Sequence, residues 1–84
     1  LHRYSIAQLL TYGKDVVDIA CGEGYGSNII AATANTVTGI DISAETITYA
    51  KHKYHRQNLK YIQGSATAIP LADECCDVVI SFET

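Results

Sequence analysis

The chain has 84 residues, a formal net charge of -3 and hydrophobic residues at 48% of its positions, which suits one small globular domain and no more. Nine Asp and Glu against six Lys and Arg leave no broad positive field for nucleic acid or anionic lipid, and no apolar run approaches a membrane span. Residues 1–20 lack the layout of a secretory signal, and three cysteines, with Cys75 and Cys76 adjacent, make a poor disulfide framework, so the expected setting is a reducing cytoplasm with free thiols.

In residues 2–13, HRYSIAQLLTYG, the apolar residues Ile6, Leu9 and Leu10 recur at helical spacing and Gly13 can stop the helix, which predicts a short amphipathic helix. Residues 15–20, DVVDIA, gather β-branched residues with little polar alternation, the pattern of a strand covered on both faces of a parallel sheet. A glycine-rich stretch follows, and the chain from Ser27 to near Asn35 predicts a helix. Residues 36–42, TVTGIDI, predict a second strand. Ser43 then serves as an N-cap, Glu45 sits in the first turn, and Lys51, Lys53 and Arg56 crowd the far end of a helix over about 44–54. Leu59 to Ile62 predict a third strand, residues 64–75 a loop, and the chain from Cys76, CDVVISF, a fourth strand.

Strands alternating with helices define an α/β domain whose crossovers are right-handed and whose sheet needs helices on both faces. In that arrangement the glycine turn and the tip of the second strand lie side by side at the carboxyl edge, where open α/β sheets bind ligands.

The turn DIACGEGYGS, residues 18–27, places Gly22, Gly24 and Gly26 on alternate positions. Glycine adopts positive φ and has no Cβ, so the backbone can bend sharply and approach a ligand, and the helix that follows begins with unpaired N–H groups that favour an anion. The same turn also serves as a tight strand-to-helix connection with no ligand. Asp41 ends the next strand, near the offset of about 20 residues at which an acidic side chain receives ribose hydroxyls. Its alternative role is to precede the capped helix at Ser43. Turn and carboxylate together point to a nucleoside, a feature that NAD proteins share.

VVDIACGEGYGS resembles the first signature of the class I S-adenosylmethionine-dependent methyltransferases, an acidic residue before a Gly- or Ala-Cys-Gly-x-Gly turn, matched by Asp18, Ala20, Cys21, Gly22 and Gly24. GIDIS, residues 39–43, is similar to the family's ribose-binding segment. Residues 64–84 resemble its adenine-contacting loop and fourth strand, and HRYSIAQLL resembles the helix before the first strand of some members. The resemblance implies a Rossmann-like, doubly wound parallel sheet, here truncated after the fourth strand, and S-adenosylmethionine as cofactor. It places Ala20, Gly22 and Gly24 at the methionine part, with Asp18 supporting its amino group and Asp41 taking the ribose. Ile42 lies against the adenine face, Ser65 and Ala66 meet its edge, and Ser81 and Phe82 close the site beside the sulfonium. Tyr4 falls either over the cofactor or in the core. Ser65 departs from the family, many of whose members carry Asp there, and its uncharged hydroxyl implies weaker adenine selectivity or reliance on backbone groups.

The resemblance further implies methyl transfer to a small-molecule acceptor by a broad, substrate-diverse subgroup. No covalent nucleophile is needed for such a transfer, and no catalytic residue is assigned. Neither nucleic acid nor membrane is an expected partner. His52 and His55 lie among cationic neighbours at a helix end, and Asp73, Glu74 and Asp77 suit a wet surface loop, so no metal is expected; Glu83 alone is weak evidence for a general base. The chain starts at Leu1 and holds no methionine, which suggests a fragment, and its fourth strand is then an exposed edge open to self-association. Two rival readings are an NAD-type oxidoreductase fragment and a non-catalytic nucleoside-binding or scaffold module.

Overall fold

The computed structural model describes residues 3–65 and 77–81. Its elements in chain order are α1 (Arg3–Thr11), β1 (Asp15–Ile19), α2 (Tyr25–Ala31), β2 (Thr36–Asp41), α3 (Ala44–Lys53), β3 (Leu59–Gln63) and β4 (Val78–Ile80). The strands form one parallel sheet in the order β3-β2-β1-β4. This is the expected α/β architecture, with β1 in the interior and every described strand ending at one edge.

Val16, Val37 and Leu59 stand in register across β1, β2 and β3, and they pack against Ile30 and Ala31 of α2, Ala34 beyond it, and Ile47 and Ala50 of α3. Ile30, Val37 and Ala50 are fully buried. β4 joins this frame at its start: the Asp77 N–H donates to the Asp15 carbonyl at 2.7 Å, and the Asp15 N–H donates to Asp77 Oδ2 at 3.0 Å. Asp77 is exposed just before β4, as a surface position should be, and it also anchors the strand. Val79 on β4 is 55% exposed, and β4 is the last strand in the order.

α3 follows the expectation closely. Ser43 has extended backbone and its Oγ accepts the Thr46 N–H at 3.2 Å, which satisfies one of the free donors of the first turn. α2 differs: it starts at Tyr25 rather than Ser27 and ends at Ala31 rather than near Asn35. Gly24, at φ 93°, acts as its N-cap, and the Asn28 N–H donates to the Gly24 carbonyl at 2.9 Å, so helical geometry begins inside the glycine stretch. At the far end, Asn35 donates its N–H to the Lys14 carbonyl at 2.8 Å, and this link to the approach of β1 turns the chain into β2.

α1 corrects a second expectation. Its apolar stripe faces outward, with Ile6 42%, Leu9 74% and Leu10 66% exposed. The helix docks instead through Ala7, through Gln8, whose Nε2 donates to the Ile29 carbonyl at 2.8 Å, and through Thr11, which is fully buried. Apolar periodicity reveals a helix but not which face meets a neighbour, and the α1–α2 contact takes small and hydrogen-bonding side chains. The rings of Tyr4 and Tyr25 meet edge-on at 5.7 Å and those of Tyr25 and Tyr54 at 6.3 Å, linking the starts of α1 and α2 to the end of α3. Among the described residues, no helix is long and apolar enough to cross a membrane.

Candidate cofactor-binding site

Between β1 and α2 the backbone enters the left-handed region three times, at Ala20 (φ 57°), Gly22 (59°) and Gly24 (93°). Ala20 is the only non-glycine among the described residues to do so. The bend is tied down from both sides: the Cys21 N–H donates to the Ile40 carbonyl at 2.9 Å, and the Gly24 N–H donates to the Cys21 carbonyl at 3.2 Å.

The two central glycines have different neighbours. Among the described residues, a Cβ on Gly22 would meet nothing within 4 Å, so that face of the turn is bare main chain. A Cβ on Gly24 would lie 2.8 Å from the Tyr61 hydroxyl and 3.0 Å from Ala50 Cβ. Of these two glycines, Gly22 leaves its Cβ side clear among the described residues, whereas the protein itself fills the space on the Cβ side of Gly24.

Asp41, at the end of β2, joins the turn to the helix beyond. Its Oδ2 accepts the Gly22 N–H at 3.0 Å and its Oδ1 accepts the Ser43 N–H at 3.0 Å. A carboxylate offers about four lone-pair sites, so two further donors can still be received. Ile42 follows at 72% exposure, its carbonyl held by Gln63 Nε2 at 3.1 Å, while the Gly64 N–H donates to the Asp41 carbonyl at 2.9 Å.

Asp18 lies deeper, 2% exposed, with Oδ2 accepting the Ser27 hydroxyl at 2.5 Å and Oδ1 without a hydrogen-bond partner among the described residues. Burial raises its pKa from 3.8 to about 6, partly offset by the Ser27 hydrogen bond. Burial, with the nearby carboxylates of Asp18 and Asp41, also pushes the Cys21 thiol up to about 12, far from a nucleophile's range.

Of the residues singled out in the sequence, Ala20, Gly22, Gly24, Asp41 and Ile42 gather around one bend at the carboxyl edge. Ser65, half-buried, follows β3, and Ser81, exposed, follows β4, on the same edge but on either flank in the strand order. Ala66, Phe82, Asp73, Glu74, Cys75, Cys76 and Glu83 lie outside the described residues. Tyr4 is half-buried against the Tyr25 ring. A hollow of about 260 Å³, lined among others by Asp15, Val17, Thr38 and Lys60, opens at the amino ends of β1, β2 and β3, away from the bend.

The methyltransferase domain family matches residues 17–84. The chain belongs to that family. It is 32% identical over 93 residues to a fatty-acid O-methyltransferase of Mycolicibacterium smegmatis, covering 100% of this chain and 34% of that protein. It is 35% identical over 69 residues to a malonyl-acyl-carrier-protein O-methyltransferase of Pectobacterium atrosepticum, covering 82% of this chain and 26% of that protein. Among solved structures, phosphoethanolamine N-methyltransferase 1 of Haemonchus contortus, in complex with phosphoethanolamine and S-adenosylhomocysteine, matches with a TM-score of 0.77 and 27% identity over 94% of this chain and 18% of its own. The chain thus spans about a quarter to a third of the length of the curated relatives it matches. The family is S-adenosylmethionine-dependent.

Within this methyltransferase domain, sequence reasoning missed two residues that shape the bend, Ser27 and Tyr61. The sequence marks Ser27 only as the start of a helix. Tyr61 had one available signal, the glycine at position 39 in the middle of a strand, which marks the close approach of another group.

Proposed function

We propose that the chain is the S-adenosylmethionine-binding part of a methyltransferase acting on a small-molecule acceptor. The observation that carries this reading is the bare face of Gly22 beside the Asp41 carboxylate, main chain open to a ligand next to an acceptor with lone pairs to spare. The donor set suits the cofactor: an unobstructed backbone for its amino-acid part, a carboxylate for two ribose hydroxyls, and the exposed Ile42 side chain as an apolar platform for adenine. Ser65 and Ala66 would meet the adenine edge, and Ser81 and Phe82 would close the site from β4. Asp18, below the turn, would support the amino-acid part from its unpartnered oxygen, directly or through water.

When bound, the cofactor supplies a methyl group already activated on a sulfonium. The chain's own residues then have positional work. Asp41 orients the ribose, and the turn sets the depth of the amino-acid part, so that the methyl carbon and an acceptor meet in line. The raised Cys21 pKa argues against that thiol as a nucleophile. The relatives named above are fatty-acid, malonyl-acyl-carrier-protein and phosphoethanolamine methyltransferases, which supports a small or acyl-chain acceptor.

The test is calorimetric titration of the full chain with S-adenosylhomocysteine and, separately, with NADH. Saturable binding of the first and none of the second is expected. Tighter binding of NADH would transfer the chain's role to dinucleotide chemistry.

A further inference from the structure

In the sheet register, Asp18 of β1, Gly39 of β2 and Tyr61 of β3 are direct neighbours. Side chains at these positions share the helix-facing side of the sheet, and the middle one is missing. The gap is filled from three directions: a Cβ on Gly39 would lie 3.0 Å from Tyr61 Cδ1, 3.0 Å from Cys21 Sγ and 3.1 Å from Ser27 Oγ. The Tyr61 ring therefore leans across β2. Its far end reaches the underside of Gly24, where Cε1 and the hydroxyl would be 3.1 and 2.8 Å from a Cβ. One ring thus occupies two side-chain-free positions, one in the strand that ends at Asp41 and one in the bend.

The Tyr61 hydroxyl is buried with no hydrogen-bond partner among the described residues, and the side chain is only 7% exposed. A phenol held this way contributes through its ring. Tyr61 meets the turn on the Cβ side of Gly24, whereas among the described residues no Tyr61 atom lies within 4 Å of a Cβ on Gly22.

The geometry points to Tyr61 as a positioning residue for the cofactor site: its ring, laid across Gly39, props Gly24 from beneath and holds the turn at the height a ligand meets. This assignment rests on the function proposed above. A bend displaced by a fraction of an ångström leaves every binding group present and the site loose.

The test compares Tyr61→Phe and Tyr61→Leu in the full chain, by calorimetry with S-adenosylhomocysteine and by hydrogen–deuterium exchange without ligand. Tyr61→Phe is expected to bind within about twofold of the parent, and Tyr61→Leu to lose about fivefold or more, with exchange accelerated over residues 18–27 but not over α1. A loss below about fivefold in Tyr61→Leu, an equal loss in Tyr61→Phe, or acceleration spread evenly over the chain overturns the assignment. Should Tyr61→Leu fail to fold, Gly39→Ala, which pushes the ring while keeping it, must show the same loss and the same local exchange. A parent protein that binds no S-adenosylhomocysteine defeats the proposed function, and the ligand-free exchange pattern then judges Tyr61 by itself.

Discussion

The Asp41 carboxylate accepts the backbone N–H of Gly22 at 3.0 Å, so the group proposed to receive the ribose also fastens the turn beside it. With its other oxygen on the Ser43 N–H, Asp41 ties together the glycine turn and the start of α3. Its loss therefore acts twice. Asp41→Ala is expected to weaken S-adenosylhomocysteine binding by at least about tenfold and to lower stability by about 1–2 kcal/mol. Asp41→Asn, which keeps one acceptor oxygen, should fall between. Calorimetry and urea unfolding measure the two effects, and unchanged affinity in the alanine variant would remove Asp41 from the site.

Gly22 and Gly24 should separate binding from stability. Gly24→Ala drives a Cβ to within 2.8 Å of the Tyr61 hydroxyl at φ 93°, and a cost above about 2 kcal/mol is expected in thermal or urea unfolding. Gly22→Ala meets no atom within 4 Å among the described residues, and its left-handed backbone costs only about 1 kcal/mol. Its methyl group stands on the ligand side, so its affinity loss should exceed its stability loss. Equal behaviour of the two variants would contradict the two-sided turn.

Ala20 holds φ 57° with a side chain that disfavours it. Ala20→Gly relieves this strain at the cost of a more flexible unfolded chain, and a net gain of about 0.5–1 kcal/mol is expected. A raised midpoint in thermal unfolding is the readout; a lowered one would mean that the methyl group's packing outweighs the strain.

Stability should also fall with rising pH in the acid range. Asp18 binds its proton more tightly when folded, with a pKa of about 6 against 3.8. Its contribution is complete below about pH 4, declines as the unfolded chain releases that proton first, and is gone above about pH 6, a change of about 3 kcal/mol at most. Asp18→Asn should flatten this slope in urea titrations at several pH values. A slope that survives the substitution belongs to another group.

Local chemistry made much of this molecule legible in its sequence. The β-branched run at Val16 and Val17, the Ser43 cap and the charges of α3 act within a few residues of themselves, and each appears as expected. The Asp41–turn proximity was also readable, because parallel register carries successive strand tips to one edge. What escaped was pairwise and distant. Nothing near Leu9 or Leu10 says which side of α1 meets α2, and nothing near Gly24 says that a tyrosine from β3 lies beneath it. The positive φ of Ala20 was hidden because alanine has no preference for that region, where a glycine would have announced it.

The anchoring of β4 by Asp15 and Asp77 bears on the route by which the chain acquires its shape. Asp15 and Asp77 are 62 positions apart, whereas Asp15 and Thr36, which start the β1–β2 ladder, are 21 apart. Closing the longer loop costs about 1 kcal/mol more in chain entropy, and it is rewarded by three paired positions rather than five. Per paired position, the β1–β2 ladder thus carries less closure entropy than the β1–β4 pairing, so the Asp15–Asp77 hydrogen bonds tie together the most widely separated segments of the described sheet.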